Sequence, residues 1–428
     1  MTNVSENKKY KGNLKTIAFV APWYGDNIPG GAEADMRGLA KHLNERGVDL
    51  EILTTCVKEF TAEWDENFHE PGLTEEGGLK VRRFPVRKRD RILFDRINYR
   101  LMQGQYLITS KDEKTYLNEN VNSPELYEYI KTHKDDYSVF VFIPYLFATT
   151  YFGAKQCPEK SVLIPCFHDE PYVYFSHFKD LYSRVRGMAF HARPEYDLVC
   201  GIYDMSEVKA LIVGGGLDTG LSYDADRFRE KYGIKDPFIL YAGRKDVGKN
   251  VYTLIDYFRE YKRRLAEKTE VSEDSGRSAD TDDISRLKLV FLGGGDLKIP
   301  EESKDEILDL GFVPVQDKYD AYAAAQFTCQ PSKNESFSIV IMESWLCRRP
   351  VMVCEDCAVT TNFVKESNGG LYFKNYFDFE AATTFLLTHK EEAAQMAENG
   401  DRYVRNNFDW EVVTDRYIQF FEEIAGAE

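Results

Sequence analysis

Apolar positions follow two alternating rhythms along the chain. Thr16-Ile-Ala-Phe-Val-Ala21 is a short continuous apolar run with β-branched members, the pattern of a strand buried on both faces. After a turn at Pro29-Gly30-Gly31 the spacing changes. Met36, Leu39, Ala40 and Leu43 then mark one face of a helix over 32–46. Gly47 stops that helix, because glycine readily takes the positive φ of a helix end. A strand over 48–54 completes a βαβ unit, the opening of a parallel, doubly wound sheet. Further strands are expected at 138–143, 161–167 and 197–201, with helices between them.

A break comes at Val213-Gly-Gly-Gly-Leu-Asp218, followed by a polar stretch to Asp236. The same rhythm then restarts. Strands are expected at 238–242, 288–292, 327–330 and 351–353, and helices at 251–265, 307–310, 317–325 and 338–347. Two such halves predict an α/β protein of two Rossmann-like domains facing each other across a cleft. The expected boundaries are a flexible N-terminus at 1–14, a first domain at 15–216, a linker at 217–236 and a second domain at 237–409. Residues 410–428 are expected to cross back to the first domain, since Trp410, Val413, Tyr417 and Phe421 share one helical face. Lys268 to Ser285 is polar and acidic and reads as a mobile surface insertion.

Composition narrows the function. A chain of 428 residues is long enough for two cores. A net charge of -16 disfavours a general nucleic-acid partner, which needs a cationic face. Residues 1–15 hold no apolar run of signal-peptide length, and no stretch reaches the roughly 20 apolar residues of a spanning helix. The eight cysteines are thinly spread and read as reduced thiols, so a cytoplasmic protein is expected. Cys354-Glu-Asp-Cys357 has no second pair for zinc and reads as a strand end and its loop.

The chemistry concentrates in Asn334-Glu335-Ser-Phe-Ser-Ile-Val-Ile-Met-Glu343. Glu335 falls in a polar turn and Glu343 eight positions on, inside an apolar helix, so both carboxylates can point to one side. A helix mouth offers free N–H groups and a positive dipole end, which suit an anion. Upstream, Gly243-Arg244-Lys245-Asp-Val-Gly-Lys249 places cations after a strand. Carboxylates that grip hydroxyls beside cations that grip phosphates describe a sugar-nucleotide site. In the first half, Pro29-Gly30-Gly31-Ala32-Glu33 forms a glycine turn before a helix, and Cys166-Phe167-His168-Asp169-Glu170 follows a strand. No Gly-x-Gly-x-x-Gly is present, which disfavours an oxidoreductase.

These motifs together resemble the retaining glycosyltransferases of family 4, which have the GT-B fold. The resemblance runs from about Lys15 to Ile424 and is strongest over 241–373. It implies that Arg244 and Lys249 hold the donor diphosphate, that Glu335 lies near the transferred sugar, and that Glu343 accepts bonds from the ribose hydroxyls. Gly30 and Gly31 would approach the diphosphate and sugar, and His168 would sit beside the sugar. The backbone near Phe312 and Val313 would meet the base, and Ser336, Phe337, Ser338 and Ile339 would line the donor. Asp169 and Glu170 would orient the acceptor. Ser336 and Ser338 depart from the family, which often has glycine at both places.

The implied activity is transfer of a sugar from a UDP- or GDP-linked donor to a sugar, lipid-linked or protein-linked hydroxyl, in glycan, polysaccharide or glycolipid synthesis. No cofactor and no metal is expected: Asp224-Ala-Asp226 and Asp280-Thr-Asp282 read as incidental. The basic run from Lys80 to Arg91 reads either as a solvated face or as a peripheral patch for anionic lipid at the inner membrane face. Trp23, Tyr24, Tyr145, Tyr174 and Phe175 are expected to pack in the core or stack on an acceptor sugar. A non-catalytic partner and a nucleotide-sugar epimerase of the same fold are the competing readings.

Overall fold

The buried run Ile17–Val20 forms β1, and its neighbours assemble around it in the computed structural model. The structure describes residues 9–105, 107–271 and 284–426, without the side chains of 268–271. The chain divides into two compact units, Met1–Gly216 with Trp410–Glu428, and Leu217–Asp409.

In the first unit an eight-stranded sheet has the order β3-β4-β2-β1-β5-β6-β7-β8. Its strands are β1, β2 (Leu50–Thr55), β3 (Gly72–Glu76), β4 (Leu79–Phe84), β5 (Val139–Phe142), β6 (Ser161–Leu163), β7 (Gly187–Phe190) and β8 (Lys209–Ile212). All neighbours pair in parallel except β3 and β4, which form a hairpin. Gly77 and Gly78 turn that hairpin at φ 58° and 80°, values that favour glycine. The helix Gly31–Glu45 buries Met36, Leu39, Ala40 and Leu43 against one face of the sheet. The C-terminal helix Trp410–Ala425 covers the same face with Val413, Tyr417, Phe421 and Ile424.

In the second unit a six-stranded, all-parallel sheet has the order β11-β10-β9-β12-β13-β14. The strands are β9 (Phe238–Ala242), β10 (Lys288–Leu292), β11 (Ile307–Asp309), β12 (Phe327–Gln330), β13 (Val351–Cys354) and β14 (Gly370–Phe373). Helices pack on both faces, as wholly buried parallel strands require.

Several expectations are corrected. Residues 197–201 are not a strand but the end of the helix Arg193–Cys200, which Pro194 starts. Residues 307–309 form β11 rather than a helix; a run of three or four apolar residues carries no period to separate the two. The stretch 217–236 is part of the second unit and not a linker. Within it the helix Ala225–Tyr232 is capped by Asp224 and buries Phe228, and Arg227 donates to Asp320 through Nη2 at 2.6 Å. The helix that starts at Val251 runs to Val271, into the expected insertion; residues 272–283 of that insertion, with Asp280 and Asp282, lie outside the described residues. At the N-terminus, residues 1–8 lie outside them too, while Tyr10 is anchored by its hydroxyl to Glu422 at 3.0 Å. Among the described residues, no helix is long and apolar enough to cross a membrane.

Candidate functional site

The second unit gathers its charges at the C-terminal ends of its strands. The chain leaves β9 through Gly243 at φ 146°, where the turn after β10 comes so close that a Cβ on Gly293 would lie 2.1 Å from the Gly243 carbonyl oxygen. Only backbone fits there. Arg244 then projects into solvent with 76% of its side chain exposed, its Nε 3.6 Å from Asp246 Oδ2. Asp246 Oδ1 accepts the Lys249 N–H at 3.0 Å and shapes the short turn that delivers the Lys249 side chain. Asn250, at φ 57°, donates to the Pro331 carbonyl at 3.0 Å and stitches this turn to the loop after β12. The result joins two distant parts of the sequence: Lys249 Nζ lies 2.8 Å from Glu335 Oε1. The side chains of Lys249 and Glu335 keep 22% and 10% exposure.

Glu343 lies on the helix Ile339–Leu346, buried among Ile341, Met342 and Trp345. A buried carboxylate requires partners. It has two: Lys318 Nζ donates at 2.6 Å and the Tyr322 hydroxyl at 3.1 Å. Burial, with the Glu343 charge added, pushes the Tyr322 phenol well up, so it stays a donor. Ser338, just before this helix, takes the left-handed conformation at φ 69°, ψ 70°, and among the described residues its buried Oγ has no hydrogen-bond partner. A non-glycine residue there is strained.

Some expected donor residues are placed otherwise. Phe337 is a packing residue: its ring is buried edge-on against Phe363 and Phe408, at 5.6 and 5.0 Å between centroids. Ser336, Ile339 and Val313 are half-buried. Phe312 is 87% exposed, with its ring over Gly294. One of the cations expected after β9 has a partner that the sequence does not reveal. Lys245 is buried and donates to Asp309 Oδ1 at 2.5 Å, the same oxygen that accepts the Gly311 N–H at 2.9 Å. The pair ties the turn after β9 to the loop bearing Phe312. Its signal was a third charge in Arg244-Lys245-Asp246, hidden because Asp309 was assigned to a helix.

In the first unit Gly30 adopts φ 141° before the helix Gly31–Glu45, and the loop Cys166–Glu170 follows β6. His168 is half-buried in that loop. The expected acceptor carboxylates both hold tyrosines: Tyr174 donates to Asp169 at 2.8 Å and Tyr145 to Glu170 at 2.7 Å. Burial raises the Glu170 carboxyl. Of the aromatic residues offered for acceptor stacking, Trp23, Tyr24, Tyr145 and Phe175 are core; only Tyr174 is half-buried. The basic run does not form a free patch. Lys80 pairs with Asp49, Arg82 with Glu51, Arg83 with Glu76, Arg87 with Glu119, Lys88 with Asp65 and Arg91 with Glu63, while Arg89 lies over the Trp64 ring. Of the Asp-x-Asp pairs, Asp224 serves as a helix cap. Among the described residues no group of three or more His, Cys, Asp or Glu has metal-site geometry.

Comparison places this architecture. Sucrose-phosphate synthase from Thermosynechococcus elongatus superposes with a TM-score of 0.64 at 15% identity, over 97% of this chain and 100% of that one. Trehalose 6-phosphate synthase from Burkholderia multivorans gives 0.68 at 12%, over 97% and 100%. Anabaena HepE in complex with UDP-glucose gives 0.62 at 15%, over 96% and 100%. The fold is the α/β GT-B fold of glycosyltransferases. Residues 224–403, most of the second unit, match the family described as "Glycosyl transferases group 1". No curated protein matches the chain.

Proposed function

We propose that this protein is a retaining glycosyltransferase that moves a sugar from a nucleotide-linked donor to an acceptor hydroxyl in glycan, polysaccharide or glycolipid synthesis, without a metal. One observation carries the reading. Lys249 and Glu335, 86 positions apart, meet at 2.8 Å inside the segment that matches the group 1 glycosyl transferases, beside an exposed Arg244. Arg244 and Lys249 receive the donor diphosphate and stabilise the charge that grows on it as the glycosidic bond breaks. Glu343 receives the ribose hydroxyls, and Glu335 and His168 serve the transferred sugar. No carboxylate is assigned as a nucleophile, so the leaving phosphate takes the acceptor proton on the face from which it departs. The acceptor belongs to the sugar, lipid-linked or protein-linked class. HepE was solved with UDP-glucose, which puts UDP-sugars first among donors to test.

The test is a panel of UDP- and GDP-sugars, with released nucleotide measured with and without candidate acceptors. One donor should support turnover, Arg244→Ala should abolish most of it, and product NMR should show the donor's anomeric configuration kept. No nucleotide release from any donor would refute the activity. An inverted product would refute the retaining mechanism alone.

A further inference from the structure

Beneath the loop that carries His168 lies a buried charge network that the proposed reaction does not use. His191 follows β7 and is 4% exposed. Its Nε2 lies 2.9 Å from Asp35 Oδ2, on the helix that begins at Gly31. On its other side Glu195, whose side chain is fully buried, accepts two backbone N–H groups at 2.7 Å each. One comes from Phe167, the residue before His168, and the other from His191 itself. His191 Nδ1 is 3.9 Å from the same Glu195 carboxylate. Cys166, at φ 58°, starts the loop beside the imidazole, and Tyr417 of the C-terminal helix faces the cluster.

We propose that His191 is a positioning residue. Held between Asp35 and Glu195, it ties the helix behind Gly30-Gly31 to the loop Cys166–Glu170 and fixes where His168 stands. The inference rests on the reading that His168 serves the transferred sugar. Among the described residues, Asp35, Glu195 and Cys166 face His191, so its imidazole sits with two carboxylates and a thiol, and Tyr417 lies near the same carboxylates. Burial is the largest influence and opposes its charge, but the Asp35 carboxylate and the Cys166 sulfur together outweigh it and raise the imidazole well above its ordinary range. Burial, with the Glu195 and Asp35 carboxylates added, pushes the Cys166 thiol up, while the neighbouring His191 pulls it down. Without the imidazolium, the half-buried Asp35 carboxylate and the fully buried Glu195 carboxylate would lose the cation between them, and the loop that Glu195 holds through the Phe167 amide would lose that support. A merely structural ion pair could sit anywhere in the unit. This one ends on the two loops that the proposed reaction needs.

A double-mutant cycle tests it with the donor selected by the panel. His168→Ala should lower kcat by about 10²-fold. His191→Gln should lower kcat about tenfold, with donor KM within about twofold, because geometry rather than donor contact is lost. In the His168→Ala background the effect of His191→Gln should vanish, since it acts through that side chain. Multiplicative losses in the double variant, or wild-type kcat in His191→Gln, would overturn this inference alone. Wild-type turnover in His168→Ala would overturn the donor-site reading as well. Should His191→Gln fail to fold, Asp35→Asn carries the same cycle with the same expected outcomes. In the unmutated protein, ¹H–¹⁵N spectra at pH 7.5 should show both His191 ring nitrogens protonated; a neutral ring would also overturn it.

Discussion

Replacing Glu335 by glutamine should make the protein bind a nucleoside diphosphate more tightly while slowing its turnover. In the structure Lys249 is already engaged, with its Nζ 2.8 Å from Glu335 Oε1 and both side chains mostly shielded. At an effective dielectric of about 20, two unit charges at that distance attract by roughly 6 kcal/mol. Desolvation cancels most of this, and a charge-assisted hydrogen bond nets about 1.5–3 kcal/mol. An incoming diphosphate must take over or share Lys249, so it forfeits part of that energy. Losing about half of it, near 1.4 kcal/mol, is about a tenfold change in affinity. Removing the carboxylate also removes a like charge close to the phosphates, which acts in the same direction. Calorimetric titration with UDP and GDP should therefore show Glu335→Gln binding its preferred nucleotide about tenfold more tightly than wild type. On the proposed assignment of Glu335 to the sugar, steady-state kcat should fall by roughly 10²-fold. Weaker nucleotide binding in Glu335→Gln would refute the competition, and an unchanged kcat would refute the assignment to the sugar.

Glu343→Ala should raise donor KM about tenfold or more with kcat little changed, since ribose bonds are shared by ground and transition states; a fall confined to kcat would move Glu343 away from the ribose. Lys245→Met should lower stability by about 2–3 kcal/mol in urea unfolding, less than a fully buried pair would cost because Asp309 keeps 24% exposure. Wild-type stability there would show that the pair does not hold the Phe312 loop. Activity should survive excess EDTA if, as proposed, Arg244, Lys249 and a helix N-terminus offset the diphosphate charge; a loss restored by Mg²⁺ would reverse that assignment.

The parts of the fold that were legible in the sequence are those with one dominant signal. Ile17–Val20 and Phe238–Ala242 are continuous apolar runs between turns, and the helix at Gly31 keeps its apolar spacing from Met36 to Leu43, about two turns. Short segments carried too little pattern. The run near Val199 looked like a strand because its apolar residues are adjacent, although Pro194 and Glu195 are helix-start residues. The hairpin of β3 and β4 was passed over although Gly77-Gly78 marks its turn, because β3 is exposed and lacks apolar alternation. In the site, residue identities were legible and their partners were not. Nothing local pairs Lys318 with Glu343, Lys245 with Asp309 or His191 with Asp35, because those contacts exist only once the strands have been ordered.

That ordering changes what the charges of the second unit can do. Arg244, Lys245, Lys249 and Lys318 face Asp246, Asp309, Glu335 and Glu343, four cations against four carboxylates, so the strand ends are locally neutral before any donor arrives. A diphosphate therefore cannot bind to surplus charge there; it has to displace carboxylates from cations. The pairs do not resist equally. Lys245 is buried against Asp309 at 2.5 Å and Glu343 is held twice, so both are costly to open. Arg244 is the opposite case, exposed and 3.6 Å from its carboxylate, with planar donors suited to phosphate. The donor phosphates should accordingly meet Arg244 first and Lys249 second. On the proposed assignment of Glu335 to the sugar, its release from Lys249 then couples donor binding to a free carboxylate at the reacting group. On this argument the two cations of the Gly-Arg-x4-Lys motif are unequal by design of their partners, which their spacing alone does not reveal.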